Sequence, residues 1–508
     1  MTVQLLARLS IPLLIPIAFL QAGFAMAETQ PAPTAATLAD IKPIELRAST
    51  IKTNNYPVDL SAVLKLVEDQ NLLIAQSRKT TEIQQNRLRQ QQVSLLPNIT
   101  ASYSENWQIG QQRFISGSQG GFVSGSSGSS GGSGSGSSGG SRRSSSSGGA
   151  QQFVQTQLGA SWTLYPGGRN IYQILAAKRR KVSSDFSLKE TYQEQLAQAA
   201  QDYYKLLAAY QQKGVVIRSI VDAQEQVKLN QAKVKVGKGI PLDLSRAKTT
   251  FAQQQSNLVQ AESALLQAEQ TLLNRLNLDP TIHLVPNEMD ALKKPLVPET
   301  LSAETLIGHA LKTHPAIHSG EEELKALGYD YKTVRSDLIP SITLQTYMRG
   351  SGTELTDLQR STSSGLSINA NLLQNMGLMV PLQMQEKKKL IQQKVLAQQA
   401  LVRDVESQVM IAFLNSENYE SAMDAATQAV ASAQDSYDLA VGRFQAGYGI
   451  NVDVLDAQAQ LATARSTLAQ AVLNYNQAQV QLVQALGMAN PSALIQGIQW
   501  QGTVTHGK

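Results

Sequence analysis

Between residues 451 and 487, large apolar residues recur every seven positions as Val454, Leu461, Leu468, Tyr475 and Leu482. A row of alanines follows three places behind them, at Ala457, Ala464, Ala471, Ala478 and Ala485. The stretch 241–277 carries the same large-residue row as Leu244, Phe251, Leu258, Leu265 and Leu272. A seven-residue apolar repeat predicts helices wound around partners as a left-handed coiled coil. The alanines let neighbouring backbones approach closely, and the Gln, Ser, Thr and Asn elsewhere tolerate water. Ahead of each of these helices the pattern predicts a longer one, at about 168–234 and 377–443. Some 65 residues at roughly 1.5 Å each make a rod on the order of 100 Å long, several times an ordinary globular helix.

Four other segments have a period of two. Ile99, Ala101, Tyr103, Trp107 and Ile109 alternate with polar residues, Glu105 being the one break. Val154, Thr156, Leu158, Ala160, Trp162 and Leu164 alternate with Gln155, Gln157, Gly159, Ser161 and Thr163. Further on, Ile342, Leu344, Thr346 and Met348 make one such face, and Leu366, Ile368, Ala370 and Leu372 another. Strands are therefore expected at about 98–115, 151–165, 341–349 and 365–373. Each is near the length of about ten residues that a tilted membrane strand needs, with one apolar and one polar side. Periodicity alone leaves ordinary surface hairpins open.

The order of these elements is written twice. Val236-Gly237-Lys238-Gly239-Ile240-Pro241-Leu242-Asp243-Leu244 matches Ala446-Gly447-Tyr448-Gly449-Ile450-Asn451-Val452-Asp453-Val454 at an offset of 210. Upstream, Leu96-Pro97 pairs with Ile339-Pro340 and Asn71 with His314 at an offset of 243. The difference is accounted for by residues 117–149, of which 28 of 33 are Ser or Gly, a composition that reads as a flexible loop. A first repeat spans 57–278, with helix at about 57–95 and a turn at 236–240. A second spans 303–487, with helix at about 303–338 and a turn at 446–450. Residues 28–56 form a Pro/Ala-rich segment, 279–302 a linker and 488–508 a C-terminal segment. Two hairpins cannot close a barrel alone. Three chains of four strands would make twelve, an even number around a polar lumen.

Composition narrows the class. Residues 1–27 read as an export leader, with an apolar run from Leu9 to Leu20 ending in Ala25-Met26-Ala27. The run holds Pro12 and Pro16 and is too short to span a bilayer. Cysteine is absent, which excludes disulfides and a lipidated N-terminal Cys. The net charge of +5 is mild and leaves no nucleic-acid footprint. Lys178-Arg179-Arg180-Lys181 and Lys387-Lys388-Lys389 read as solvated helix faces near the inner surface of the membrane. His309, His314 and His318 include an i, i+4 pair that could hold a metal, but no Cys or suitably spaced acid completes a site. No nucleophile–base set or phosphate loop is present, so neither metal, cofactor nor enzymatic activity is expected.

Over about residues 57–490 the chain resembles the TolC-like outer-membrane efflux protein family. The resemblance rests on the duplicated plan, on Leu96-Pro97 and Ile339-Pro340 ahead of the first strand of each half, and on Tyr165-Pro166-Gly167-Gly168-Arg169 leading into a long helix. Most specific is Gly447-Tyr448-Gly449-Ile450-Asn451-Val452-Asp453-Val454-Leu455-Asp456-Ala457. The resemblance implies a mixed α and β membrane protein. A homotrimer would join a twelve-stranded outer-membrane barrel to a helical periplasmic tunnel that tapers to a closed tip. It implies export of drugs or toxins received from an inner-membrane resistance-nodulation-division or ABC transporter through a periplasmic adaptor. The alternatives are the exit duct of a type I protein secretion system and, from another class, a periplasmic adaptor or a coiled-coil scaffold.

The same resemblance implies residue roles. Val236, Gly237, Lys238, Gly447 and Tyr448 fall at the adaptor-docking tip. Asp453, Asp456, Asp243 and Phe444 fall at the pore constriction, where crowded carboxylates favour cations. Asp453 also suits the positive end of its helix. Gly237, Gly239, Gly447 and Gly449 are expected to end the long helices with φ above zero. The family's prototype ties its tip with a Tyr and an Arg, and here those positions are Phe444 and Gly449. Closure by packing and by other ion pairs, with Arg443 or Arg246 as partners, is the expectation that follows.

Overall fold

The computed structural model describes residues 55–108, 151–237, 239–287, 293–298, 300–353, 358–369 and 378–499. The expected leader and most of the Pro/Ala-rich segment (1–54), the expected strand ends 109–115 and 370–373, the Ser/Gly-rich segment 117–149, Lys238 and the last residues 500–508 lie outside the described residues. In chain order the elements are β1 (Asn55–Val58), α1 (Leu60–Gln70), α2 (Leu72–Val93), β2 (Asn98–Gln108), β3 (Gln151–Tyr165), α3 (Arg169–Lys235), α4 (Pro241–Leu276) and β4 (His283–Pro286). The second half continues with α5 (Ala303–Thr313), α6 (Pro315–Ser336), β5 (Ser341–Gly352), β6 (Gln359–Asn369), α7 (Met379–Gln445) and α8 (Asn451–Ala485), and α9 (Pro491–Gln496) follows. No described helix is long and apolar enough to cross a membrane.

Each half opens with two helices where the pattern suggested one. Asn71 makes the break in the first half: its side-chain oxygen accepts from the amides of Leu73 and Ile74, and so caps α2. Its amide also donates to the Arg275 carbonyl at 3.1 Å, which fixes α2 against the end of α4. His314 takes the same place in the second half, accepting from the Ala316 amide at 3.3 Å. Two of the three histidines noted in the sequence are used locally. His314 is this cap, and His318 Nε2 lies 2.8 Å from the Lys312 carbonyl oxygen. Among the described residues no group of three His, Cys, Asp or Glu is gathered as a metal site.

α3 and α7 each run 67 residues, and each folds back on a shorter helix: α3 on α4, α7 on α8. In α8 both sequence rows turn inward, with Val454, Leu461, Tyr475 and Leu482 buried beside Ala457, Ala471, Ala478 and Ala485. In α4 only Leu265 and Leu272 of the corresponding row are buried, whereas Leu244, Phe251 and Leu258 remain half-exposed. The main core lies midway along the rods. There α1, the parallel pair β1–β4, the residues Leu296, Val297 and Leu301, α5 and α9 gather on Leu196–Leu207 of α3, Val405–Ala412 of α7, and Val480–Ala485 of α8 with its cap Leu486. Leu296 and Val297, in the linker whose pattern was silent, are thus held against α8. The Gln479 side-chain oxygen accepts from the amides of both Leu296 and Val297.

β2, β3, β5 and β6 form one antiparallel sheet in that order. β6 begins at Gln359, six residues before the expected start, and β5 continues to Gly352. Register aligns the alternating faces of all four strands. Ala101, Leu158, Met348 and Thr362 stand in one row, and Trp162, Leu344 and Leu366 in another on the same side. The opposite side carries Ser102, Gln157, Arg349 and Ser361 in register, with Arg349 donating to the Gln157 side-chain oxygen at 3.2 Å. The apolar row residues Ile99, Leu158, Trp162, Leu344, Met348, Leu366 and Ile368 are all exposed. An open apolar sheet face of this extent is unusual in water.

Candidate functional site: the turn end of the two helical hairpins

The two Gly-x-Gly turns close the hairpins α3–α4 and α7–α8, and they share one design. Gly237 and Gly447 take the left-handed region, with φ of 73° and 84°. Gly239 and Gly449 do not, contrary to expectation. They serve close packing. A Cβ on Gly239 would stand 2.7 Å from the Val234 nitrogen, and one on Gly449 would stand 2.9 Å from the Phe444 nitrogen. The chain turns back over its own last helical turn, and any side chain there meets backbone. In the second turn the Arg443 carbonyl accepts from the amides of both Tyr448 and Gly449 at 3.0 Å.

Around these turns the surface is apolar. Val236, Ile240, Leu242, Tyr448, Ile450 and Val452 are all exposed, Tyr448 at 91%. Asp453 and Asp456 lie on the first two turns of α8, both facing solvent. The Asp456 carboxylate accepts from the Gln460 side-chain amide at 2.8 Å. Asp243, on the first turn of α4, is half-buried. Arg246 reaches Asp243 at 3.8 Å from within the same helix, so that contact does not join the hairpins. Arg443 makes no ion pair in the described structure and is exposed.

The side chain that does cross is Lys233. Its ammonium sits 3.3 Å from the centroid of the Phe444 ring and donates to the Phe444 carbonyl oxygen at 3.0 Å. Phe444 itself is buried, at 6% exposure. A cation over an aromatic face gains about 0.5–2 kcal/mol, more as water is excluded. Burial pulls the Lys233 pKa below its ordinary value, and the nearby Asp243 carboxylate opposes that shift.

One helical turn away lies a second crossing. Gln226 and Asn230 of α3 both donate to the Asn451 side-chain oxygen, at 2.7 and 2.9 Å. All three are buried, and the Asn451 side-chain nitrogen has no partner. The ladder continues along the seam between α3 and α8. Gln458 donates to the Ser219 carbonyl oxygen at 3.3 Å, and Ser466 to the Gln212 side-chain oxygen at 2.9 Å. Along this stretch the contacts that join the two hairpins are made by amides and hydroxyls. Sequence reasoning missed Lys233, Gln226 and Asn230. The signal available was Asn451 and Gln458, seven apart beside the apolar row. Above them, burial raises the Asp222 carboxyl pKa, with the Arg465 guanidinium acting against the shift and Glu225 adding to it.

At the other end of the helices, Arg179 pairs with Glu322 at 3.0 Å, Arg169 with Asp337 at 3.0 Å, and Arg180 with Asp330. The basic run at 178–181 is therefore not simply a solvated face. Arg179 and Arg180 tie α3 to α6, across the two halves. Trp162, at the base of the sheet, donates its ring N–H to the Leu95 carbonyl oxygen at 3.0 Å.

The chain matches the family described as outer membrane efflux protein over residues 123–278 and 306–488. OpmQ, a pyoverdine export outer membrane protein of Pseudomonas aeruginosa, is 24% identical over 302 residues, which span 58% of this chain and 61% of that protein. In fold the chain is similar to the CmeC outer membrane channel of Campylobacter jejuni, with a TM-score of 0.68 at 16% identity, covering 86% of this chain and 90% of that one. It is likewise similar to the open state of the MtrE outer membrane channel of Neisseria gonorrhoeae, with a TM-score of 0.65 at 18% identity, covering 87% of this chain and 91% of the other.

Proposed function

The chain belongs to the outer membrane efflux protein family, and on that footing we propose that three copies close into one duct carrying small toxic molecules out of the cell. It lies in the outer membrane and extends into the periplasm. The observation that carries the proposal is the sheet. Four strands in antiparallel order leave β2 and β6 as open edges that run in opposite directions. An edge β6 can therefore pair antiparallel with β2 of the next copy, and a closed ring leaves no edge unpaired. Three copies give twelve strands, with the Leu158 side toward lipid and the Gln157 side toward water.

The same closure suits the helices. Leu72, Leu73 and Ile83 of α2 and Val259 and Leu266 of α4 are exposed on one flank, Ile411 and Leu439 of α7 on the other. Meeting copies would bury them.

The turn end is the working end of the proposed duct. Asp453 and Asp456 of three copies would set six carboxylates around one opening, with Asp243 and Phe444 beside it. Val236, Gly237, Lys238, Gly447 and Tyr448 would meet a periplasmic adaptor, through which an inner-membrane resistance-nodulation-division or ABC transporter delivers cargo. In this reading the duct does no chemistry, and energy comes from the transporter.

The test is current through planar bilayers holding the purified full-length protein. Cation-selective steps that lose selectivity in Asp453→Ala and Asp456→Ala support the assignment. Absence of conductance, or selectivity untouched by both changes, sinks it. Drug sensitivity and the secreted proteins of a deletion strain separate small-molecule efflux from protein export.

A further inference from the structure

The charge of this chain is strongly localised once folded. Four helix ends meet just beneath the sheet: 82–93 of α2, 169–181 of α3, 379–394 of α7, and 325–337, covering the end of α6 and its cap. Together they hold fourteen lysines and arginines against four acids, so the rest of the chain is net acidic. The four acids are already engaged: Glu82 with Lys79, Asp330 with Arg180, Asp337 with Arg169 and Glu386 with Lys387. Just beyond these spans, Glu322 pairs with Arg179 and Lys325, and Asp185 with Lys181. Arg89, Lys178, Arg335 and Lys389, one on each helix, are exposed and make no ion pair in the described structure.

Each of the four is accompanied, on the side toward the sheet, by an exposed apolar residue. Val93 is four residues beyond Arg89, and Ile339 four beyond Arg335. Ile171 precedes Lys178 by seven, and Leu382 precedes Lys389 by seven. On α2, α3 and α7 spacings of four and seven keep the two residues on one helix face, which puts Val93, Ile171 and Leu382 roughly 6–10 Å nearer the sheet than their cations. Ile339 lies in the turn between α6 and β5, also on the sheet side of Arg335. The Trp162 ring, tied to Leu95, marks the same level. Apolar groups next to the bilayer, an amphipathic ring among them and cations one step out form the sequence of a membrane interface. Cations directed into a water-filled lumen would need no such apolar companions.

We infer that Arg89, Lys178, Arg335 and Lys389 form a collar that binds the headgroups of anionic phospholipids in the periplasmic leaflet. The inference rests on the reading of the sheet as membrane-embedded. A phosphate-bearing headgroup supplies a counter-charge for these four cations, and attraction to an anionic surface falls off within a Debye length. The collar thereby sets the depth of the sheet in the bilayer.

Trp162 provides the readout. In a full-length Trp107→Phe, Trp500→Phe protein reconstituted in vesicles, Trp162 fluorescence is quenched by brominated phosphatidylglycerol or brominated phosphatidylcholine at equal mole fraction. The expected result is a preference for the anionic lipid of about twofold or more, shrinking between roughly 0.1 and 0.5 M salt. The preference should also vanish in the Arg89→Gln, Lys178→Gln, Arg335→Gln, Lys389→Gln variant. Equal quenching by the two lipids overturns the collar, as does a preference that ignores salt. Quenching by neither lipid would instead refute the membrane placement of the sheet, and the collar with it. The salt series needs no charge variant, so it decides the matter even if the fourfold change fails to fold.

Discussion

Lys233, near the end of the first long helix, stands over the ring of Phe444, near the end of the second, and donates to that residue's own carbonyl oxygen. One side chain thus joins the two hairpins at their turns by two different contacts. Lys233→Met keeps the aliphatic stem and removes both. It should loosen the turn end and raise resting conductance several-fold in planar bilayers. Lys233→Arg keeps the charge and should stay closer to the parent. Unchanged conductance in Lys233→Met would remove the clasp from any account of closure.

The clasp also has a pH signature. Burial lowers the Lys233 pKa from its ordinary 10.5. The folded state therefore releases this proton at a lower pH than the unfolded chain does, so the group adds to folding stability as pH rises through that window. The contact with Phe444 behaves oppositely, since it needs the ammonium and is lost once pH passes the lowered value. Resting conductance should rise at alkaline pH below 10.5, and in Lys233→Arg the rise should disappear. A rise of equal size in both proteins would show that another group is responsible.

Asn451 accepts two buried amides with one oxygen. Asn451→Leu leaves the Gln226 and Asn230 donors without that partner, at a cost of roughly 1–3 kcal/mol. Asn451→Asp keeps an acceptor at a helix start, where negative charge is favoured, and removes the side-chain N–H that has no partner. Thermal unfolding should rank the aspartate variant above the leucine variant. The reverse order would mean that burial of the charge outweighs both contacts.

Gly239→Ala and Gly449→Ala place a methyl group against backbone, whereas Gly237→Ala meets open space and only a strained φ. The first two should destabilise the turns by about 1–3 kcal/mol and the third by about 1 kcal/mol. Limited proteolysis at the turns, compared across the three variants, gives the ranking directly.

Leu158 and Gln157 are neighbours on opposite faces of β3. Leu158→Lys should cost roughly 2–4 kcal/mol if its face meets lipid, while Gln157→Lys should be near neutral. The recovery of folded protein from outer membranes measures both. Equal tolerance would contradict the assigned faces.

Much of this architecture is legible in the sequence because it rests on local periodicity. The seven-residue rows, the alternation of two and the repeated Gly-x-Gly each report a backbone geometry that short-range sterics impose. Val454, Leu461 and Tyr475 could be placed inside a coiled coil without coordinates, and Leu158 could be separated from Gln157. What periodicity cannot carry is the identity of a distant partner. Lys233 looks like any helix-surface lysine until the second hairpin brings Phe444 beneath it, 211 residues away. Arg180 looks solvated until α6 supplies Asp330. The cations beneath the sheet are dispersed along the chain, and only the packing of four helix ends concentrates them. Pairing energies depend on separation in space, and separation in space is set by the whole fold. Local pattern therefore determined the elements and their faces, and tertiary structure alone decided which charges, amides and rings meet.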